Sequence, residues 1–339
     1  TLIQVLIGTS YLMTADRSYY GNIFWGFAGI TAMQWILLIF YLCIRRFSFE
    51  LETIAFFLCT MGMAAIAAVK PGETLKQLIA MLLGVAAYLL VGWSVRDHDR
   101  AKKMRYVAGV AGILLLLVTL VFGKEYHGAK NWIVIGSLSL QPSELCKVCF
   151  VFIGASTMDR ILQKRNLILF IAYTLVICGC LAVMNDFGTA LIFFAAFLVI
   201  AYLRSGSVGT IALACTALGF AGVLAIKIAP HALRRFAIWR HIWEDPLGAG
   251  YQQTRALMCI ASGGLLGLGP GRGWLKNVFA ADSDIAFATI SEEWGLIVAV
   301  MMVLCIAVLG LFALRTARVA RSSFYTIGAC TAASILLIQ

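Results

Sequence analysis

The sequence predicts an all-α fold: a polytopic integral membrane helical bundle of about ten or more spans, with a long extracytoplasmic loop that contains short interfacial helices. Three observations lead there. The chain is 62% hydrophobic and only 13% charged, with a mean hydropathy of +0.92, whereas about a quarter of the residues in a soluble domain are charged. Apolar runs of the length that crosses a ~30 Å hydrocarbon core recur along the whole chain. The basic residues gather in alternate connections between those runs, as the positive-inside rule requires of a protein that crosses repeatedly.

The runs lie at about 23–44, 53–70, 75–94, 105–122, 142–159, 167–184, 189–203, 207–229 and 287–313. Apolar stretches at 1–14 and from 324 onward read as pieces of longer helices, and the first has neither the basic region nor the cleavage site of a signal peptide. Connections bearing Arg45-Arg46, Arg96 to Arg105, Arg160 to Arg165, Arg204 and Arg315 to Arg321 are assigned to the cytoplasm. With those loops inside, the segments around Asp16, Lys70, Lys124 to Lys130 and Asp186 face outward. A net charge of +11 is therefore mostly a topology signal and gives no reason to expect nucleic acid.

Two outward segments are too polar to cross. Gly123 to Gln141 ends where Pro142, Ser143 and Glu144 suit the first turn of a helix. Pro230 to about Ser283 is longer than an ordinary helical connection, and its cations Arg234, Arg235, Arg240, Arg255, Arg272 and Lys276 suggest either an anionic ligand or anionic lipid headgroups. Within it, Ile238 to Trp243 and Gln252 to Ile260 mix aromatic, basic and apolar residues as interfacial helices do. Gly263 to Gly273 is glycine-rich but fits neither nucleotide-binding pattern, and reads as a flexible connector whose amides can approach a ligand. Cys146 and Cys149 have a redox or metal spacing but no second pair or nearby histidine, so they read as small buried hydrophobes.

Ionisable residues beside membrane-length helices are the candidates for chemistry, because a charge at the bilayer centre costs roughly 2.5–3.5 kcal/mol on insertion scales. Four carboxylates cluster in Asp282-Ser-Asp-Ile-Ala-Phe-Ala-Thr-Ile-Ser-Glu-Glu-Trp-Gly295. If the helix begins near Ser283, then Asp284, Ser291 and Glu292 share one face, with Asp284 at the rim as a base or as a cap. Glu144 and Lys147 are three apart and pair on one face, either structurally or as the lining of a cleft. Asp186 stands where a helix N-cap belongs.

Four blocks, Asn131-Trp-Ile-Val-Ile-Gly-Ser-Leu-Ser-Leu-Gln-Pro-Ser-Glu-Leu-Cys-Lys147, Asn185-Asp-Phe-Gly-Thr-Ala190, Glu244-Asp-Pro-Leu-Gly-Ala-Gly-Tyr-Gln252 and Ser283 to Gly295, resemble in order and spacing the signature blocks of the SEDS family, the shape, elongation, division and sporulation proteins of the RodA, FtsW and SpoVE type. The resemblance covers about residues 50–339, leaving 1–48 as extra N-terminal transmembrane helices before a SEDS-like membrane glycosyltransferase domain, 49–339. It implies a peptidoglycan glycosyltransferase of the bacterial cytoplasmic membrane, inverting at the anomeric carbon. Such an enzyme polymerises lipid II into a growing β-1,4 glycan strand at the outer face, beside a class B penicillin-binding protein and within membrane lipids.

Residue by residue, the resemblance puts the family's essential aspartate on Asp284. Its other site positions fall on Glu144, Lys147, Asp186, Arg234 and Arg235, while Arg240, Trp132 and Glu293, within or beside the same blocks, complete the substrate-binding candidates. Asn131 stands in place of a frequent Arg, Asn185 in place of a Pro, Val278 to Asp282 lacks the usual Leu-Pro-Glu-x-His, and the Ser-x-Gly-Gly-Ser block has no counterpart up to Gln339. Transfer from a lipid diphosphate needs one base and no acid, since the leaving group is already a stable anion. No cofactor is required by that chemistry; assistance by a divalent cation stays open, as do a lipid II flippase and a scaffold of a division or elongation complex.

Overall fold

The apolar runs become helices whose ends fall at the first polar or helix-breaking residues. The computed structural model describes residues 1–126, 129–136, 138–158, 164–209, 212, 215, 216, 219, 241–320 and 322–339. Its helices are α1 (Leu2–Thr14), α2 (Tyr20–Cys43), α3 (Glu50–Val69), α4 (Thr74–Val95), α5 (His98–Phe122), α6 (Pro142–Met158), α7 (Lys164–Val183), α8 (Phe187–Ser205), α9 (Tyr251–Gly263), α10 (Ala286–Val319) and α11 (Ser323–Ile338). Among the described residues, six helices are long and apolar enough to cross a membrane. The run at about 207–229 lies mostly outside the described residues, as do Arg234, Arg235 and Arg240.

Three details depart from expectation. Helix α5 starts at His98, so Arg100, Lys103 and Arg105 extend a helix instead of occupying a loop; Arg100 lies over the Trp93 ring at 3.9 Å and pairs with Asp97 at 3.8 Å. The polar segment after α5 forms a small antiparallel sheet of β1 (Lys124–Tyr126), β2 (Ala129–Ile135) and β3 (Leu138–Leu140), in the order β1-β2-β3. Its centre is the β-branched run Ile133-Val134-Ile135, and Gly136 at φ 62° turns the chain back so that Ile133 pairs with Leu140. Of the Ile238 to Trp243 stretch, residues 241–243 make a turn and the rest lies outside the described residues.

The chain divides into two compact units, residues 1–89 with 230–305 and residues 90–229 with 306–339. In the first, α2 buries Ile23, Phe27, Ile30, Leu37 and Tyr41 along one stripe, against α3 positions that are mainly Met and Ala. Small side chains there bring helix backbones close, which is how helices associate where lipid tails are as apolar as leucine. Polar side chains add specificity: Gln4 Nε2 donates to Gln34 Oε1 at 2.8 Å and to Thr60 Oγ1 at 3.3 Å. In the second unit the core is aromatic, with Phe150 meeting Phe170 at 5.3 Å, Tyr173 at 6.1 Å and, edge-on, Phe193 at 5.2 Å.

Candidate active site

Helix α10 is broken one turn below its carboxylates. Gly295 takes φ 82° and ψ 173°, a region only glycine enters readily, and a Cβ there would collide with the Leu265 carbonyl oxygen. In an unbroken helix the amides of Leu296 and Ile297 would bond the carbonyls of Glu292 and Glu293. Here they donate instead to Gly264 O at 2.9 Å and Leu265 O at 3.4 Å, while Glu292 O and Glu293 O accept from the amides of Leu268 at 2.9 Å and Gly269 at 3.0 Å. The glycine-rich loop has taken the place of a helical turn, and these four freed backbone groups each find a partner in it. Residues 296–319 alone, at about 1.5 Å per residue, still make a helix long enough to cross.

The same loop turns its next amides toward the two glutamates. Trp274 N and Leu275 N donate to the two oxygens of Glu292 at 2.9 and 3.0 Å, and Gly273 N donates to Glu293 Oε1 at 3.3 Å. On the other side, Tyr11 Oη of α1 donates to Glu293 Oε2 at 2.6 Å and itself accepts from Trp294 Nε1 at 3.1 Å. Both glutamates are 1% exposed. The glycine loop thus offers its amides to α10, not to a ligand, and Glu293 is spent on protein donors. Glu293, expected to bind substrate, is thus buried beside a second carboxylate and accepts from Tyr11 Oη and Gly273 N.

From Leu275 the chain runs to Asp284 along a series of fixed points. Leu275, Val278 and Ala281 are buried with Ala256 and Cys259 of α9 and Ala288 of α10. Thr289 Oγ1 donates to Ala281 O at 2.8 Å, and Lys70 pairs with Asp282 Oδ2 at 2.9 Å, while Asp282 Oδ1 is buried with no partner among the described residues. Burial first, and then the Glu292 carboxylate, push the Cys259 thiol up to about 12.

Asp284 itself is exposed, receives a hydrogen bond from Ser283 Oγ at 3.1 Å, and has its amide bonded to Ala280 O at 3.0 Å. Because α10 begins at Ala286, Asp284 lies outside the helix and does not share a face with Ser291 and Glu292, which are 0% and 1% exposed. Its side chain caps no helix amide among the described residues; the first-turn amides of Ala288 and Thr289 go to Ile285 O. Asp284 is thus an exposed carboxylate on a braced segment, with no helix amide to satisfy among the described residues.

In the second unit, α6 begins at Pro142, and the i, i+3 spacing brings Lys147 Nζ to both oxygens of Glu144 at 2.8 and 2.9 Å. Gln339 Oε1 accepts the third ammonium hydrogen at 2.9 Å. Lys147 is 5% exposed, yet the pair lines a cavity of about 510 Å³ whose remaining wall is mostly apolar, including Val148, Phe152, Phe324 and Leu336. Asp186 is the N-cap of α8, accepting from Thr189 N at 3.2 Å, and its second oxygen accepts from Asn131 Nδ2 at 2.9 Å. Asn185 has φ 58°, which asparagine tolerates and proline cannot reach, so the departure from the family's proline has a local cause. Trp132 stands on β2 opposite Lys124, partly exposed. Among the described residues no group of three or more His, Cys, Asp or Glu is placed to hold a metal ion.

Tyr11 and the amides of residues 268–275 are the functional-site neighbours that sequence reading does not find. The only signals were a tyrosine within an apolar helix and a run of glycines whose target could not be named.

Residues 51–339 match the cell cycle protein family FTSW_RODA_SPOVE. The peptidoglycan glycosyltransferase RodA of Mycobacterium tuberculosis is 29% identical over 283 residues, 78% of this chain and 60% of its own. The probable peptidoglycan glycosyltransferase FtsW of Alkalilimnicola ehrlichii is 32% identical over 233 residues, 66% of this chain and 58% of its own. The chain therefore spans about 60% of the length of these curated relatives. Among solved structures, a chain described under "Structural coordination of polymerization and crosslinking by a peptidoglycan synthase complex" superposes with TM-score 0.67 at 22% identity, over 85% of this chain and 83% of that one. The rod shape determining protein RodA of Thermus thermophilus gives 0.59, also at 22% identity, over 85% and 81%. Fold, block order and a family match over most of its length agree: this chain belongs to the FtsW/RodA/SpoVE family.

Proposed function

We propose that this protein is a peptidoglycan glycosyltransferase that polymerises lipid II at the outer face of the cytoplasmic membrane, with Asp284 as general base. The observation that carries the reading is the setting of Asp284: an exposed carboxylate, free of capping duty, on a segment braced at Leu275, Ala281 and Asp282. In the reaction the 4-hydroxyl oxygen of the acceptor sugar bonds to the donor's anomeric carbon. The bond from that carbon to the diphosphate breaks with its electron pair on the diphosphate, and the hydroxyl proton passes to Asp284. Arg234, Arg235 and Arg240 are assigned to the anionic diphosphates, where charge-assisted hydrogen bonds favour the departing group; Lys147 would have to give up Gln339 to bind an anion beside Glu144. The apolar wall beside Lys147 suits a polyprenyl chain.

Two further parts rest on the resemblance and on the synthase complex among the structural neighbours. The partner is a class B penicillin-binding protein, which crosslinks the glycan. The alternation of cations puts the segment at 230–286 outside, so that residue 276 replaced by cysteine reacts with an impermeant thiol reagent while residue 102 does not. The deciding experiment incubates the intact protein, its partner and lipid II, and separates products on a gel. A ladder of glycan strands is expected; its absence, with both proteins folded and associated, refutes the activity.

A further inference from the structure

Helix α1 precedes the region that matches the family, yet it reaches the candidate site. Gln4, Ile7 and Tyr11 lie on one face of it, at spacings of three, four and seven, and are 3%, 2% and 1% exposed. Gln4 fixes the helix along its axis through Gln34 and Thr60, while Tyr11 is flanked by Phe27 at 6.4 Å and Trp294 at 6.1 Å. The Tyr11 hydroxyl has both of its functions used, donating to Glu293 and accepting from Trp294, so its orientation is determined. At 2.6 Å against 3.3 Å for the Gly273 amide, it is the closer of these two donors to Glu293. At its C-terminal end α1 also meets the glycine loop, where Thr14 lies against Gly271.

We infer that Tyr11 is a positioning residue for the polymerisation chemistry. By holding the Glu293 carboxylate it fixes the outer end of α10 against the segment that begins at Gly273, and so sets where Asp284 stands. The segment from Gly273 to Ala286 is tethered at its start by Glu292 and Glu293 and at its finish by the first turns of α10, and Tyr11 bonds one of the two glutamates of the first tether. Helix α1 is in consequence part of the working enzyme. This inference rests on the reading of Asp284 as the base.

The test uses Tyr11→Phe in the intact protein, which keeps the ring and removes the hydroxyl. With Met33→Ala as a control for destabilisation within the same unit, kcat for lipid II polymerisation per folded molecule is expected to fall about tenfold in Tyr11→Phe, with KM within twofold, and to be unchanged in the control. In a background without native thiols, Asp284→Cys is expected to react with an impermeant maleimide about threefold faster when combined with Tyr11→Phe, because the segment is looser. Unchanged labelling together with unchanged kcat overturns the inference, as does a kcat loss matched by Met33→Ala at equal loss of stability. Undiminished polymer from Asp284→Asn removes the base assignment instead. The labelling arm reports the hold of Tyr11 on the segment whatever Asp284 does, so the two failures are separate results.

Discussion

Within one short stretch of sequence, Asp284 and the Glu292-Glu293 pair meet opposite fates. The aspartate stands in solvent with a serine hydroxyl for company, while the glutamates are buried and surrounded by amides, a phenol and an indole. All of them are ionisable residues beside a membrane-length helix, and composition alone ranks them equally. What separates them is the backbone: the glycine loop aims its amides at the glutamates and passes the aspartate by. The glutamates are wrapped by backbone and side-chain donors, whereas the carboxylate proposed as the base accepts only from a neighbouring serine hydroxyl among the described residues.

The largest effect expected from this contrast is on rate. Asp284→Asn keeps shape and removes basicity, so polymerisation should fall on the order of 10²–10⁴-fold, with the thermal midpoint unmoved as for other exposed positions. A folded Asp284→Asn variant of normal activity would end its candidacy as the base. For Glu292→Ala the penalty should be in stability: the buried amide of Leu275 and the part-buried amide of Trp274 lose their acceptor, costing about 2–4 kcal/mol in thermal unfolding. Glu292→Gln retains an acceptor oxygen and should lose about half of that; a silent Glu292→Ala would mean that these amides have other partners.

Gly295→Ala tests the loop exchange itself. It forces a side chain into a backbone conformation costing about 1–3 kcal/mol, next to the Leu265 carbonyl, and should be read by the same unfolding assay. Asp186→Ala should cost about 1 kcal/mol as a lost N-cap, with Asp186→Asn close to neutral in stability. A loss of polymerisation in Asp186→Asn without a loss of stability would move this residue to the substrate side of the comparison. The smallest expected signal is at Cys259. Its pKa is raised to about 12, so the thiolate is scarce up to pH 9, and maleimide labelling at pH 8 should stay at background until Glu292→Ala opens the site.

The helices were legible because span length is dictated by bilayer thickness and the apolar runs carry it directly. The run at about 75–94 became Thr74–Val95 and the run at about 53–70 became Glu50–Val69. The pairing of Glu144 with Lys147 followed from helical spacing alone. Other features needed information that no local pattern contains. The start of α10 at Ala286, two residues after Asp284, undid the proposed shared face, because a residue outside a helix does not follow its 3.6-residue periodicity. The β-branched run at 133–135 forms a strand that the reading of Gly123 to Gln141 as a polar connection did not assign. That the glycine loop serves a helix break instead of a ligand depends on a contact between residues 264–269 and 292–297, and Tyr11 meets Glu293 across a separation of 282 positions.

That last separation has a consequence for how the protein is made. Exchange of backbone bonds between the glycine loop and α10 closes a short loop and can occur as soon as those residues leave the ribosome. The partner of Tyr11 is synthesised 282 residues later, so until then α1 has its hydroxyl uncommitted to Glu293. Loop-closure entropy makes the distant contact the more costly of the two to form. Docking of Tyr11 onto Glu293 therefore cannot precede synthesis of the N-terminal end of α10, and maturation of the first unit can register that the chain has been translated that far.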